Sequence, residues 1–346
     1  MSIETLPSVD VVVPAFNEEG HVDRCLDAIF AQDYPADRYR VWVVDAGSTD
    51  ETARVVRERA ARDARLALVN GSGRLNAAQA CNLGIQQGSS ELIARVDAHT
   101  YLYPDYLRRA AELLAEEGPT VCCVGAQPEQ VGETPFGEAV AIARGSSFGV
   151  GSSVYADQRT RAEVDTIQAG VYRRAPLEEV GGFRTDMLVG EDEELNWRLK
   201  KAGYKLILDT SVRFVYATRS SWSAVFRQHR NYGQSRVRVL AAHPDFLRPY
   251  HLAPPGLVAL LAGLVVAAPF SRRARRGLLA LVAAYGAGAS AASISASSSR
   301  PELIPRLIAC FPALHLGYGA GMIEGLVQKL RERLGMGEAP TAVERR

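Results

Sequence analysis

The sequence predicts an α/β domain built on a mostly parallel, doubly wound sheet, followed by an α-helical membrane anchor. Three observations carry this reading. Short runs dense in β-branched residues alternate with helical sequence between Val9 and Val96, the alternation that produces a parallel sheet. Each run ends in polar or acidic residues, and beyond Pro254 the composition changes abruptly from mixed to almost chargeless.

Val9 to Val13 (VDVVV) is the first strand and ends in Pro14-Ala15-Phe16-Asn17-Glu18-Glu19, before a helix from about Gly20 to Gln32. Arg40 to Val44 is the second, ending at Asp45-Ala46-Gly47-Ser48-Thr49-Asp50, where Ser48, Thr49 or Asp50 caps the next helix. Leu66 to Val69 and Leu92 to Val96 are the third and fourth. Ligands of such sheets bind beyond the carboxyl ends of the strands. Asn17-Glu18, Asp45, Gly73-Arg74 and Asp97 are therefore expected to gather where a nucleotide would sit. No GxGxxG follows the first strand and no GxxxxGK[ST] occurs, which disfavours a dinucleotide fold and a P-loop.

The 346 residues, 47% apolar and 23% charged, suit a globular chain of one large domain or two smaller ones. A formal net charge of +1 sets up no global field for polyanions, so nucleic acid is not an expected partner. Cys25, Cys81, Cys122, Cys123 and Cys310 are odd in number and form no CxxC pair. That argues against a disulfide framework or a structural zinc site, and for free thiols in a reducing compartment. The opening MSIETLPSVD has neither a basic n-region nor an apolar h-region; no cleavable signal peptide is expected, and the first domain is expected in the cytosol.

Three segments after Pro254, from Leu257 to Phe270, Gly277 to Ile294 and Leu303 to Val327, carry almost no charge. The second and third approach the ~20 residues that span a bilayer. A water-soluble Ala-rich bundle is the competing reading, but such helices need a polar stripe, and Lys, Asp and Glu are nearly absent from every face. The first segment, only ~14 residues, has a re-entrant length, and Arg272-Arg273-Arg275-Arg276 follow it. Short basic loops favour the inner side. The expectation is that this segment dips into the inner leaflet and returns, that the other two cross, that Ser297 to Pro301 forms the external loop, and that Arg346 ends in the cytosol. The expected organisation is a nucleotide-binding domain over 1–220, an amphipathic interface segment over 221–254, the anchor over 255–330 and a basic tail over 331–346. No internal repeat is evident.

The strings VVVPAFNEE, VVDAGSTDET, RVDAH and GEDEELNWRLKKAGYKL together resemble the family 2 glycosyltransferases of GT-A fold, over a stretch from Val9 to Tyr216. RVDAHTYLYPDYL and the hydrophobic tail look most like the succinoglycan-type glucosyltransferases of bacterial exopolysaccharide assembly. The resemblance implies an inverting transfer of a sugar, glucose from UDP-glucose, to a lipid-linked (polyprenyl diphosphate) or polysaccharide acceptor, by a multi-pass inner-membrane protein with a cytoplasmic catalytic domain and membrane lipids as partners.

Residue by residue, the resemblance gives Asp45 the uracil or ribose; the plainer role is a turn acid or helix cap, for which Ser48 and Asp50 are better placed. Pro14, Asn17, Glu18 or Glu19, and Arg74 complete the nucleotide pocket. Asp97-Ala98-His99 occupies the place of the family's DxD motif, with His99 where a second aspartate is usual. Residues two apart in an extended turn point the same way, so a carboxylate and an imidazole address one cation, directly or through water. The cation neutralises charge on the departing diphosphate; oxygen-rich ligation suits Mg²⁺ or Mn²⁺, and an imidazole favours Mn²⁺. A lone histidine near a strand end is otherwise a hydrogen-bonded surface or core residue.

Glu191 and Asp192 map onto the family's Glu-Asp pair, whose aspartate is the catalytic base that deprotonates the acceptor hydroxyl. The bland role of the four acids Glu191 to Glu194 is the charged first turn of the helix expected over Leu195 to Ala202. The segment Arg227 to Arg236, with Gln228 and Arg236, looks like a loose Gln-x-x-Arg-Trp element that covers the donor diphosphate, without its tryptophan. A basic amphipathic helix on anionic lipid fits the same residues, together with Trp222 and Phe226.

Three other functions compete. A sugar-nucleotide pyrophosphorylase needs a Gly-rich signature after the first strand, where PAFNEE stands instead. A non-enzymatic membrane binding module of the same fold has no use for acids at Asp45, Asp97 and Asp192. A processive synthase needs more helices to enclose a polysaccharide channel.

Overall fold

The computed structural model describes residues 6–126, 128–150, 161–297 and 299–336. Along the chain run β1 (Val9–Ala15), α1 (Val22–Phe30), β2 (Tyr39–Asp45), α2 (Thr52–Ala60), β3 (Leu66–Asn70), α3 (Ala77–Ile85), β4 (Leu92–Arg95), β5 (Thr100–Leu102), α4 (Tyr106–Glu117), β6 (Val121–Gly125) and β7 (Glu129–Val131). Then come α5 (Pro135–Gly145), α6 (Ser147–Val150), β8 (Ala162–Glu163), β9 (Val171–Arg173), α7 (Arg174–Glu179), α8 (Glu191–Lys201), β10 (Lys205–Leu208) and β11 (Phe214–Ala217). The remainder is helical: α9 (Trp222–Ala242), α10 (Ala253–Ala267), α11 (Arg272–Ala296) and α12 (Ile304–Arg333).

The chain divides into two compact units, and the boundary is not the single break expected near residue 220. One unit holds residues up to 129 and from 161 to 216; the other holds 130–150 together with 217–336 among the described residues.

In the first unit eight strands form a sheet in the order β3-β2-β1-β4-β9-β6-β10-β8. The four strands read from the sequence are its parallel half. The sheet is mixed rather than wholly parallel, because β9 runs antiparallel to both β4 and β6, and β8 antiparallel to β10. Alternation along β1 sends Val9, Val11, Val13 and Ala15 into one core with Val41, Val43, Leu92 and Ala94. Val12 points the other way, towards α3, where Gly84 makes room: a Cβ there would lie 2.5 Å from the Val12 Cγ1. Pro14 follows the last β1 residue paired with β4, Val12, so no bond to that strand is lost for want of its N–H.

The second unit is helical. α9 and α12 run side by side in the same direction, seated on glycines. A Cβ at Gly317, Gly321 or Gly325 would meet the Phe226 carbonyl at 2.7 Å, the Arg230 carbonyl at 1.9 Å and the Val237 side chain at 3.1 Å. Small residues four apart allow this close approach of helix backbones. Arg230 Nε bonds Glu324 at 2.7 Å, and Trp222 Nε1 donates to the Ala309 carbonyl at 3.0 Å. α5 packs on the first half of α12 through Ala139, Val140 and Ala143 against Leu307, Phe311 and Leu314.

Among the described residues, three helices are long and apolar enough to cross a membrane: Pro249–Ala267, Arg272–Ala296 and Pro301–Arg333. They differ in what covers them. α12 is sheltered by protein through much of its length. The α10 and α11 pair leaves Leu260, Val265, Val266, Leu279, Val282 and Ile294 exposed, with Phe270 at the turn 90% exposed.

Two features of this tail bear on the expectations for it. α10 is one unbroken helix with Pro254 and Pro255 in its first turn, where proline is tolerated; the chain reverses at 268–271, at the far end of the segment and not midway along it. In the stretch expected as an external loop, Arg300 Nη2 bonds Glu138 Oε2 of α5 at 2.7 Å. Ser298 and Arg346 lie outside the described residues.

Candidate active site

The loops at the carboxyl ends of β1 to β4 are tied to one another. Asn17 adopts a left-handed φ of 53°, which asparagine accepts more readily than most residues. Its N–H donates to Ser48 Oγ at 3.0 Å and its Oδ1 accepts from the Thr49 N–H at 2.8 Å. The Glu18 N–H donates to Thr52 Oγ1 at 2.8 Å, and the Glu19 N–H to Asp50 Oδ2 at 3.1 Å. Asp50 also accepts from the Thr52 N–H at 3.0 Å, but the N-cap of α2 is Glu51, with no side-chain cap bond, and not Ser48, Thr49 or Asp50. The NEE and GSTDET strings are thus two halves of one laced surface.

Asp45, 8% exposed, closes β2, and its Oδ1 accepts the Ser48 N–H at 3.2 Å. That bond is the turn-acid role weighed from the sequence. Beside it the Arg74 guanidinium stacks over Phe16, 4.6 Å from the ring centre. Gly47, at φ 88°, lets the β2 and β3 loops touch, since a Cβ there would lie 3.2 Å from the Gly73 carbonyl and the Arg74 Cα. The Gly71 N–H donates to the Asp45 carbonyl and the Leu75 N–H to the Ala46 carbonyl, both at 3.1 Å, so a carboxylate, a cation and an aromatic ring stand on adjoining loops.

After β4 the chain turns instead of continuing extended: the Thr100 N–H bonds the Asp97 carbonyl at 2.8 Å. Asp97 and His99 therefore do not share a direction by strand alternation. His99 Nδ1 stands 2.9 Å from Glu18 Oε1, with the Tyr216 ring 5.4 Å away. Asp97 Oδ1 accepts from Arg95 at 3.0 Å.

No group of three His, Cys, Asp or Glu among the described residues is arranged to hold a metal ion. The donor set fits a different kind of site: one carboxylate and one imidazole, with Glu18 beside the imidazole, left to be completed by substrate phosphates. Mg²⁺ and Mn²⁺ are commonly held in this way, by one or two carboxylates plus phosphate oxygens.

The acids of the GEDEE string begin α8 rather than preceding it, after Gly190 at φ 79°. Four carboxylates then stand at the positive end of the helix. Asp192 is 17% exposed, and Glu191 is buried. Burial pushes Glu191 up to about 7, against the pull of the neighbouring Arg95.

Arg95 is the residue the sequence reading missed. Its Nη2 lies 2.8 Å from Glu191 Oε1 and its Nη1 3.5 Å from Asp192 Oδ2, while it also holds Asp97. The signal was present as an arginine inside the otherwise apolar string LIARV.

The first unit thus gathers Asn17, Glu18, Asp45 and Arg74 in one set of loops and Asp97, Glu191 and Asp192 around one guanidinium. Gln228 and Arg236 belong to the second unit and are engaged within it. Gln228 Nε2 bonds Tyr232 Oη at 3.2 Å; Arg236 Nε bonds Tyr318 Oη at 3.1 Å and stacks on Phe246 at 4.9 Å.

Comparison with known proteins bears on the family and the fold. Residues 10–181 match the profile of Glycosyl transferase family 2. Succinoglycan biosynthesis protein ExoA of Rhizobium meliloti (strain 1021) is 28% identical over 333 residues, covering 93% of this chain and 96% of that protein. A dolichyl N-acetyl-alpha-D-glucosaminyl phosphate 3-beta-D-2,3-diacetamido-2,3-dideoxy-beta-D-glucuronosyltransferase of Methanococcus voltae is 26% identical over 264 residues, 75% of this chain and 81% of that one. Among solved structures, mannosyltransferase PcManGT from Pyrobaculum calidifontis, in complex with GDP-Man and Mn²⁺, superposes with a TM-score of 0.66 at 25% identity, covering 96% of this chain and 89% of that chain. With its mixed sheet, its acids at the strand ends and these relatives, the chain has the GT-A fold and belongs to glycosyl transferase family 2.

Proposed function

We propose that this glycosyltransferase moves a sugar with inversion from a nucleoside diphosphate, UDP-glucose being the first donor to try, to a lipid-linked (polyprenyl diphosphate) or polysaccharide acceptor at the inner face of a membrane. The observation that carries the reading is the meeting of Asp97 and Asp192, the donor-side and acceptor-side acids, at one guanidinium. The relatives support its parts separately: a succinoglycan biosynthesis protein, a transferase named for a dolichyl phosphate-linked acceptor, and a mannosyltransferase holding GDP-Man and Mn²⁺.

Asp45 and Arg74, with Phe16, hold the nucleoside. Asp97 and His99 would hold a divalent cation, Mn²⁺ or Mg²⁺, which supplies the charge neutralisation that a leaving diphosphate needs. Asp192 removes the acceptor proton as the hydroxyl attacks the anomeric carbon from the face opposite the departing phosphate, a contribution of about 10² to 10⁴ in rate. Gln228 and Arg236, if they serve the donor, do so only after giving up their present partners.

For the membrane, we propose a cytoplasmic catalytic unit and insertion of the α10–α11 hairpin from that side. The few residues between β7 and α5 reach at most about 3.5 Å each, too little to carry α5 across ~30 Å of hydrocarbon. Arg300 on Glu138 then keeps the α11–α12 connection on the same side.

The test is a transfer and release assay in membranes across a panel of nucleotide sugars, with and without Mn²⁺. Cation-dependent nucleotide release with one donor supports the reading; no transfer from any donor overturns it.

A further inference from the structure

Arg95 closes β4 on the face opposite Leu92 and Ala94, which belong to the main core. Its side chain is only 8% exposed, yet three carboxylates converge on it, one from two residues along the chain and two from the start of α8: Asp97 at 3.0 Å, Glu191 at 2.8 Å and Asp192 at 3.5 Å. A fold needing only to neutralise a buried cation would use one carboxylate. Three leave the cluster with surplus negative charge when all are ionised, a poor way to gain stability in a buried place. Its Nε–H is moreover buried without an oxygen partner, and besides the carboxylates the guanidinium has only the weak acceptor of the Cys81 thiol beside it. The fork is aimed at the carboxylates at the expense of its own satisfaction.

We infer that Arg95 is a positioning residue that couples the two halves of the site, holding Asp97 for the donor's cation and Asp192 for the acceptor hydroxyl on one rigid guanidinium. This rests on the function proposed above. The planar fork matters, because its two Nη groups address different carboxylates at fixed angles, whereas a lysine ammonium is a single point that one carboxylate captures. Loss of the fork separates the donor-side acid from the acceptor-side acid. It also removes a positive charge that competes with the divalent cation for Asp97.

The experiment compares Arg95→Lys and Arg95→Gln with the wild-type full chain in detergent or membranes, reading folded fraction, nucleotide affinity, transfer rate and the Mn²⁺ concentration for half-maximal rate. The expected result is that kcat per folded molecule falls at least about tenfold in both variants while the acceptor KM stays within about threefold. The Mn²⁺ half-saturation moves by at least about threefold, because Asp97 has lost its partner. The Lys variant keeps the charge, so the measurement survives if the Gln variant does not fold. If kcat per folded molecule and the Mn²⁺ half-saturation match wild type, and only thermal stability drops, Arg95 is structural and the proposal fails. Wild-type protein showing no cation-dependent transfer would instead contradict the functional reading, a result seen before any variant is made.

Discussion

His99 Nδ1 stands 2.9 Å from Glu18 Oε1, joining the loop after β4 to the loop after β1. This contact explains how a histidine sits where an aspartate is usual for the family: an aspartate would bring a second negative charge against Glu18. Replacing His99 by Asp, the change that restores the family pattern, should therefore destabilise the cation-free protein, by about 1 kcal/mol for two like charges at this spacing. The double variant His99→Asp with Glu18→Gln should recover most of that loss, as thermal unfolding without cation would read. A single variant as stable as wild type would contradict this account of the pair.

Glu191 supplies a pH signature. Its folded-state value is raised from 4.5 to about 7, first by burial. The native protein therefore holds a proton that the unfolded chain releases between those values. Stability from this group is complete below the lower value and is lost as pH rises through the upper one. The Tm of wild type minus that of Glu191→Gln, measured without cation, should fall across that window and level off above it. A difference that rises with pH would show that Glu191 is ionised throughout.

Membrane topology separates the proposed arrangement of the tail from the one expected from charge alone. With Arg300 bonded to Glu138, a cysteine at Glu302 should resist an impermeant maleimide in intact cells and react once cells are opened. Labelling in intact cells would place this connection outside and dissolve the hairpin proposal.

The legible parts of this fold were those with a strong local pattern. β1 to β4 announce themselves as β-branched runs ending in acids, and the residues at their ends do collect. β6, β9 and β10 were not assigned: β9 has only three residues and runs antiparallel, a direction that depends on its neighbours and not on its own composition. The carboxylates could be named from the strings that contain them, but Arg95 is defined by partners as far as 96 positions away, and no spacing rule reaches across that gap. α12 reads as a membrane span because it is long and apolar, and it remains among the helices able to cross one. Its glycine contacts with α9 bring together positions about ninety residues apart, which no local pattern shows.

The most direct test of the account is Asp192→Asn, which keeps the shape of the side chain and removes its basicity. The proposed base acts on the acceptor and touches neither nucleotide nor cation. Transfer should therefore fall by at least about 10²-fold while nucleotide affinity with Mn²⁺ stays within a few fold of wild type. Transfer retained within about tenfold would remove Asp192 from the mechanism and contradict the reading of the site.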